Sequence, residues 1–156
     1  MFAWEVEGSS DPIPLYPSPF NDTVPMISPD GRWLTWSGDD SGRWEVYVTS
    51  FPGGGRKWQI SNNGDWPRWS RDGTEIFYLT SDGMLMATEV DGSGDTFRVG
   101  ATEKLFELGP FDDGYDFDVA ADGQRFLIVK KAETQAKESL QPMTLVLNWQ
   151  DDLRHQ

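Results

Sequence analysis

Three copies of one short pattern constrain the fold of this chain more than any other feature. Each copy places an Asp-Gly pair between two short apolar segments, at Asp30-Gly31, Asp72-Gly73 and Asp122-Gly123. Asp accepts hydrogen bonds from nearby backbone amides and Gly adopts the positive φ of a tight turn, so each pair predicts a hairpin. The Asp residues lie 42 and then 50 positions apart, a spacing typical of repeated four-stranded β-meanders.

The apolar residues around each turn keep the same phase in all three copies. The matched sets are Ile27, Trp69 and Val119 before the turn, then Leu34, Ile76 and Phe126, and finally Trp36, Tyr78 and Ile128. Apolar residues at every second position predict strands with alternating faces. A third strand is predicted over residues 44–48, 84–90 and 143–149, and a fourth over residues 57–60 and about 104–108.

The repeat predicts one all-β domain, a partial β-propeller of about three four-stranded antiparallel blades. Its predicted units are the end of a blade with its outer strand (1–20), two blades (21–61 and 62–109), a blade lacking its outer strand (110–150) and a tail (151–156). Because the first unit begins in mid-pattern, we expect a fragment of a longer protein.

Composition agrees with this fold and excludes several functions. The chain has 16 Gly and 10 Pro, which favour many turns, and 13% aromatic residues, which favour a packed core. A formal charge of −13 repels phosphate backbones, so nucleic-acid binding is not expected. The absence of Cys excludes disulfides and thiolate chemistry. No apolar stretch approaches the roughly 20 residues of a membrane span, and no signal peptide is visible in these residues.

Few residues have catalytic potential. The sequence therefore predicts a protein that is not an enzyme and binds no cofactor. The single His is His155, in the polar tail, where an imidazole is not held in register. Ser28 and Ser70 precede turns without the Gly-x-Ser-x-Gly context of a nucleophile, and turn hydrogen bonding is their expected role.

Acidic residues cluster once in the sequence. Asp112, Asp113, Asp116 and Asp118 lie within seven residues, and oxygen clusters attract calcium. Their spacing differs from that of an EF-hand loop. An acidic rim is therefore favoured, and no metal site is predicted.

Several segments together resemble a known family. Residues 28–33 with 42–48, the run 52–61 and the closing 145–149 resemble the WD-like repeat of TolB-type six-bladed propellers. They are similar to the C-terminal propeller of bacterial membrane-anchored serine/threonine kinases, although this chain contains no kinase motif. The resemblance implies a sensor or scaffold propeller whose parent protein is periplasmic or extracytoplasmic.

One surface is a candidate for binding. In such propellers the connection from an outer strand to the next inner strand lies at the mouth of the central channel. Candidate residues on these connections are Asp22, Asp65, Trp66, Asp112, Asp113 and Tyr115. Acidic side chains beside an aromatic ring suit a basic or apolar peptide. The alternative is that they form turns and close the core.

The predicted function is a non-catalytic propeller module for protein or ligand contact. One alternative is the accessory gating propeller of a prolyl-oligopeptidase-like hydrolase. Another is an isolated or engineered self-assembling fragment with no cellular task of its own. Three blades leave apolar faces uncovered, so we expect a homodimer that closes a six-bladed ring, residues 13–16 completing the last blade of the other copy. A different copy number or rearranged blades would be the alternative assembly.

Overall fold

The computed structural model describes residues 1–3, 11–109 and 116–129, and the backbone of residues 144–147. All regular secondary structure in these ranges is β-strand, and none of it is a helix long and apolar enough to span a membrane. The strands are β1 (Phe2–Ala3), β2 (Ile13–Pro14), β3 (Asp22–Ile27), β4 (Trp33–Gly38), β5 (Glu45–Ser50), β6 (Trp58–Gln59), β7 (Gly64–Trp69), β8 (Glu75–Thr80), β9 (Met84–Asp91), β10 (Arg98–Glu107), β11 (Asp116–Val119), β12 (Arg125–Val129) and β13 (Thr144–Leu147).

The strands form three consecutive antiparallel meanders. Blade 1 is β3-β4-β5-β6, blade 2 is β7-β8-β9-β10, and blade 3 is β11-β12-β13 over the described residues. A separate two-stranded sheet joins β1 to β2. The first strands of successive blades lie side by side, since β3 contacts β7 and β7 contacts β11. The predicted fold, an all-β partial propeller, is confirmed.

Each sheet packs face to face against the next. Between blades 1 and 2 the buried side chains are Trp33, Val46, Val48, Ile60, Trp69, Ile76, Tyr78, Val90 and Phe97. Between blades 2 and 3 they are Phe77, Leu79, Leu85, Ala87, Leu105, Phe117, Phe126 and Ile128. Leu15 packs with Leu34, Trp36 and Tyr47 on the opposite face of blade 1. Alternate residues of one strand thus enter different cores, as a period of two requires.

One strand differs from the sequence prediction. The fourth strand of blade 2 runs over Arg98–Glu107 and is longer than residues 104–108. It follows β9 through two register shifts, and its first seven residues are exposed, so no apolar alternation marks them. The first unit was also expected to begin with the end of a third strand, around Trp4–Gly8, and that segment lies outside the described residues. Before it, β1 at Phe2–Ala3 pairs with β2.

The Asp-Gly turns repeat at the level of hydrogen bonds. Gly31, Gly73 and Gly123 have φ of 75°, 76° and 68°. In each blade the Asp Oδ1 accepts from the backbone amide two residues later, at 3.0–3.1 Å. These bonds lower the pKa of Asp30, Asp72 and Asp122, with a serine hydroxyl as the largest cause at the first two. The turns therefore hold ionised carboxylates.

The third turn lacks two side-chain hydrogen bonds that the first two have. Ser28 Oγ donates to Asp30 at 2.6 Å and accepts from Trp33 N at 2.9 Å, and Ser70 makes the same pair of bonds. Blade 3 has Ala120 at this position. Ser28 and Ser70 thus perform the turn role that was expected of them.

We predict that Ala120→Ser stabilises the protein by about 1 kcal/mol, because it supplies both missing hydrogen bonds. Urea unfolding followed by tryptophan fluorescence measures the change. Ala121→Ser, at the exposed neighbouring turn position, is the control and should change little. Equal stability of the Ala120 variant and the parent protein would contradict the proposed role of the hydroxyl.

A carboxylate lies in an unfavourable setting beside the core of blades 2 and 3. Burial, and then the charges of Asp72, Glu89 and Glu103, raise the pKa of Glu75. Glu75 and Glu89 are direct cross-strand partners. Like charges at such positions oppose sheet pairing.

Glu75→Gln is therefore expected to raise stability at pH 7 by about 0.5 kcal/mol. The folded pKa lies above the unfolded one, so ionisation costs stability and the wild type recovers it as the pH falls toward the unfolded pKa. The advantage of the variant should vanish below about pH 4. Urea unfolding at both pH values tests this, and a variant that is less stable at pH 7 would contradict it.

Candidate functional site

The candidate mouth lies at the ends of the sheets where each first strand begins. Strand direction alternates, so the connections entering β3 and β7 and the loops joining second to third strands share this end. We call residues 21–24 and 63–66 the mouth surface. Of the predicted residues it contains Asp22, Asp65 and Trp66. Asp112, Asp113 and Tyr115 lie outside the described residues.

The carboxylate of Asp22 accepts a hydrogen bond from a core tryptophan. Its Oδ1 accepts from Trp36 Nε1 at 2.9 Å, and the Trp36 ring is buried against Leu15 and Tyr47. The neighbouring Asn21 donates from its backbone N and Nδ2 to the Asp39 carboxylate, at 2.9 and 2.7 Å. This half of the mouth surface is thereby fixed to the loop that follows β4.

Both first strands carry the same backbone irregularity. Val24 and Trp66 have φ of 50° and 58°, in the left-handed region, and each precedes a proline. Pairing with the second strand shifts register at these points. A non-glycine residue there costs on the order of 1–3 kcal/mol, and proline, which lacks a donor, suits a bulge. The same bulge therefore recurs in blades 1 and 2, and bulges of this kind change the direction of the side chains at that point, here Val24 and Trp66.

Asp65 and Trp66 are half-buried at the bulge of blade 2. Trp66 N donates to Asp65 Oδ1 at 2.7 Å and to Ser37 Oγ of blade 1 at 3.1 Å. The ring of Trp66 packs against the edge of the core between blades 2 and 3. Asp65 and Trp66 are thus consecutive residues at the bulge of β7, the strand that contacts both β3 and β11.

A buried carboxylate, that of Glu45, stabilises the turn that precedes Asp65 and Trp66. Glu45 is fully buried. Its Oε1 accepts from Arg43 Nε at 2.7 Å, and its Oε2 accepts from Ser61 Oγ and Asn63 N, both at 2.7 Å. Asn63 is itself left-handed, with φ of 73°, so Glu45 holds the turn that leads into Asp65.

Arg68 joins the same region to blade 3. Its Nε donates to the carbonyl of Phe117 at 3.1 Å and its Nη2 to Asp116 Oδ1 at 2.8 Å. Its guanidinium also lies 5.4 Å from the centroid of the Phe117 ring. These contacts hold β7 and β11 side by side, behind the bulge.

The acidic cluster considered for calcium is only partly described. Asp116 accepts from Arg68 and from Phe117 N, and Asp118 Oδ1 accepts from Val119 N at 2.9 Å. Among the residues whose side chains are described, no three acidic or histidine side chains are arranged to hold a metal ion.

Sequence reasoning missed Glu45, Arg68 and Val24. An acidic residue inside the apolar run of residues 44–48 was the available signal for Glu45. Arg68, at the position after Pro67, had no comparable signal because its partners come from another blade. Pro25 and Pro67 were the signals for the bulges.

We predict that Glu45→Gln destabilises the protein by about 1–3 kcal/mol, because a neutral amide has one acceptor oxygen where three donors converge. Hydrogen exchange of the Asn63 amide should accelerate more than that of the strand amides. Glu107→Gln, at an exposed edge position, is the matched control. Unchanged stability and unchanged exchange at Asn63 would refute the supporting role.

Comparisons with known proteins concern the fold. A protein assigned as a 6-phosphogluconolactonase candidate from Bacteroides uniformis superposes with a TM-score of 0.53 and 15% identity, over 94% of this chain and 47% of that one. An oligogalacturonate lyase from Vibrio parahaemolyticus gives 0.47 and 16%, over 72% and 30%. The β-propeller domain of the Trilobed protease from Pyrococcus furiosus gives 0.36 and 16%, over 73% and 51%.

This chain spans about half or less of the length of each of these solved proteins. No protein-family model matches the sequence. No curated protein matches it either. At 15% identity, the superposition on the Bacteroides uniformis structure concerns the fold alone, and the function of this chain has to be argued from its own residues.

Proposed function

We propose that this chain is a non-catalytic β-propeller module that binds a short basic and apolar peptide segment of a partner protein at the mouth surface. The observation that carries the proposal is the left-handed bulge at Trp66, where Asp65 accepts a hydrogen bond from the Trp66 backbone and both side chains are half-buried. Bulges and left-handed non-glycine residues are frequent beside functional sites, which supports a binding role for this position.

The chemistry of the surface determines the class of ligand. An indole ring offers apolar contact and attracts a cation at its face. Asp65 Oδ1 accepts from the backbone N of Trp66, and a carboxylate can accept further donors from an Arg or Lys side chain. The formal charge of −13 adds a long-range attraction for basic partners.

Rigidity supports the same interpretation. Glu45 fixes Asn63, Ser37 binds Trp66 N, and Arg68 ties β7 to β11. A ligand at the mouth surface would therefore meet side chains that are already positioned, which lowers the entropic cost of binding.

Fluorescence anisotropy of a labelled decapeptide of alternating Lys and Leu tests the proposal, with an alternating Glu and Leu decapeptide as the negative probe. Asp65→Lys should weaken binding of the basic peptide by roughly tenfold or more, since it replaces attraction by repulsion. Trp66→Leu keeps apolar area but loses the cation–π contact, and should weaken binding roughly fivefold.

Asp95→Lys is the matched control because it changes the net charge equally. Asp95 is exposed in the loop between β9 and β10, at the opposite end of the blades. The Asp95→Lys substitution should weaken peptide binding less than about twofold at 0.15 M salt, where charges farther apart than about 8 Å are screened. If Asp95→Lys is as damaging as Asp65→Lys, or if the acidic peptide binds equally well, the proposal is wrong.

A further inference from the structure

Two apolar areas on the outer faces of the blade stack are uncovered in the described part of the chain. On blade 3, Leu127 and Val129 are 40% and 49% exposed. On blade 1, Ile27 is 51% exposed. These residues lie on opposite faces of the stack, one beyond blade 3 and one before blade 1.

The repeat identifies what the blade 3 face is built to contact. Leu127 and Val129 follow their Asp-Gly turn at the same distance as Phe77 and Leu79 in blade 2. Phe77 and Leu79 are buried under blade 3, where Phe77 meets Phe126 edge to face at 5.1 Å between ring centroids. The face of Leu127 and Val129 thus has the form of a surface that receives a following blade.

The blade 1 face has the form of the opposite half of such an interface. Ile27 occupies the position of Trp69, which packs on the preceding blade and donates from Nε1 to the carbonyl of Met26 at 3.4 Å. The N-terminal residues Leu15 and Tyr16 already cover Trp36 on this face, and Leu34, the cross-strand partner of Ile27, is buried. Ile27 on β3 is a large apolar side chain that stays exposed on the described part of this face.

From these faces we infer that blade 3 of one copy of this chain docks on blade 1 of a second copy, with Leu127 and Val129 over Ile27. A shallow cavity of about 230 Å³, lined in part by Asp118, Arg125 and Leu127, lies on blade 3 and would offer room for the isoleucine. A second copy fits because each chain carries both halves of one interface, and two copies satisfy them reciprocally. This contact is separate from the mouth surface and stands without the proposed peptide binding.

The N-terminal sheet fits this arrangement. β2 leads into Leu15, which covers blade 1 where the outer strands of a preceding blade would lie. β1 is joined to β2 by two register pairs only, Phe2 with Pro14 and Ala3 with Ile13. In the docked pair, β13 of the incoming copy takes the place of β1 beside β2, in the manner of exchanged strands.

Sedimentation velocity with light scattering at 0.15 M salt tests the inference on the full 156-residue chain. The expected mass is twice the chain mass of 17.7 kDa. Val129→Asp should weaken association roughly tenfold or more, because it places a charge in an apolar contact. Val99→Asp is the matched control, since Val99 is also an exposed strand valine, 40% accessible, but lies on the outer strand of blade 2.

Complementation distinguishes this head-to-tail contact from any other pairing. Ile27→Asp and Val129→Asp should each be monomeric alone, and their equimolar mixture should form pairs because one intact interface remains between them. A parent protein that stays monomeric, a mixture that stays monomeric, or a Val99→Asp variant that loses association equally would overturn the inference.

Discussion

The sheets of blades 1 and 2 are apolar on both faces, and much of the described structure follows from that constraint. In β5, Val46 and Val48 enter the core with blade 2, whereas Tyr47 between them enters the core on the other side. Burying one such aliphatic side chain contributes about 1.5–3 kcal/mol, so a blade gains stability from a neighbour on each face. Charged side chains that lie within or against these sheets, such as Glu45 and Arg68, are held by several hydrogen bonds.

The repeat made the fold predictable because its signals are local. The Asp-Gly turns and the period-two apolar phase are properties of a few consecutive residues, and Gly31 and Asp30 behave as their chemistry requires. The length of β10 was not predictable, because an outer strand that faces solvent needs no apolar alternation. Ile27 holds the same place in the alternation as Trp69 and yet is exposed. The alternation predicts which face of the sheet a side chain occupies, but not whether another sheet covers that face.

The candidate site was less predictable because its geometry depends on register and on distant partners. Asp22 and Asp65 were both predicted as acidic residues of the mouth. In blade 1, Asp22 pairs with Gly38, the last residue of β4. In blade 2 the last residue of β8, Thr80, pairs with Gly64 and not with Asp65. The two carboxylates are thus one position out of step, and a shift of one residue reverses the face of a strand. No aspartate could replace Gly64, because a Cβ there would lie 2.5 Å from the Tyr78 ring.

The two proposed surfaces lie at different places in the fold, and both involve the first strand β3. The mouth surface is made by β3 and β7, and the docking faces flank β3 and β11. Docking of a second copy would bring further first strands, each with its acidic connections, around the same axis. A cationic ligand long enough to reach both copies would then bind the pair more tightly than the single chain, and by linkage it would favour pairing to the same degree. The charge of −13 on each copy opposes association, so the drive to pair has to come from the apolar faces, and a bound cation would reduce the opposing repulsion.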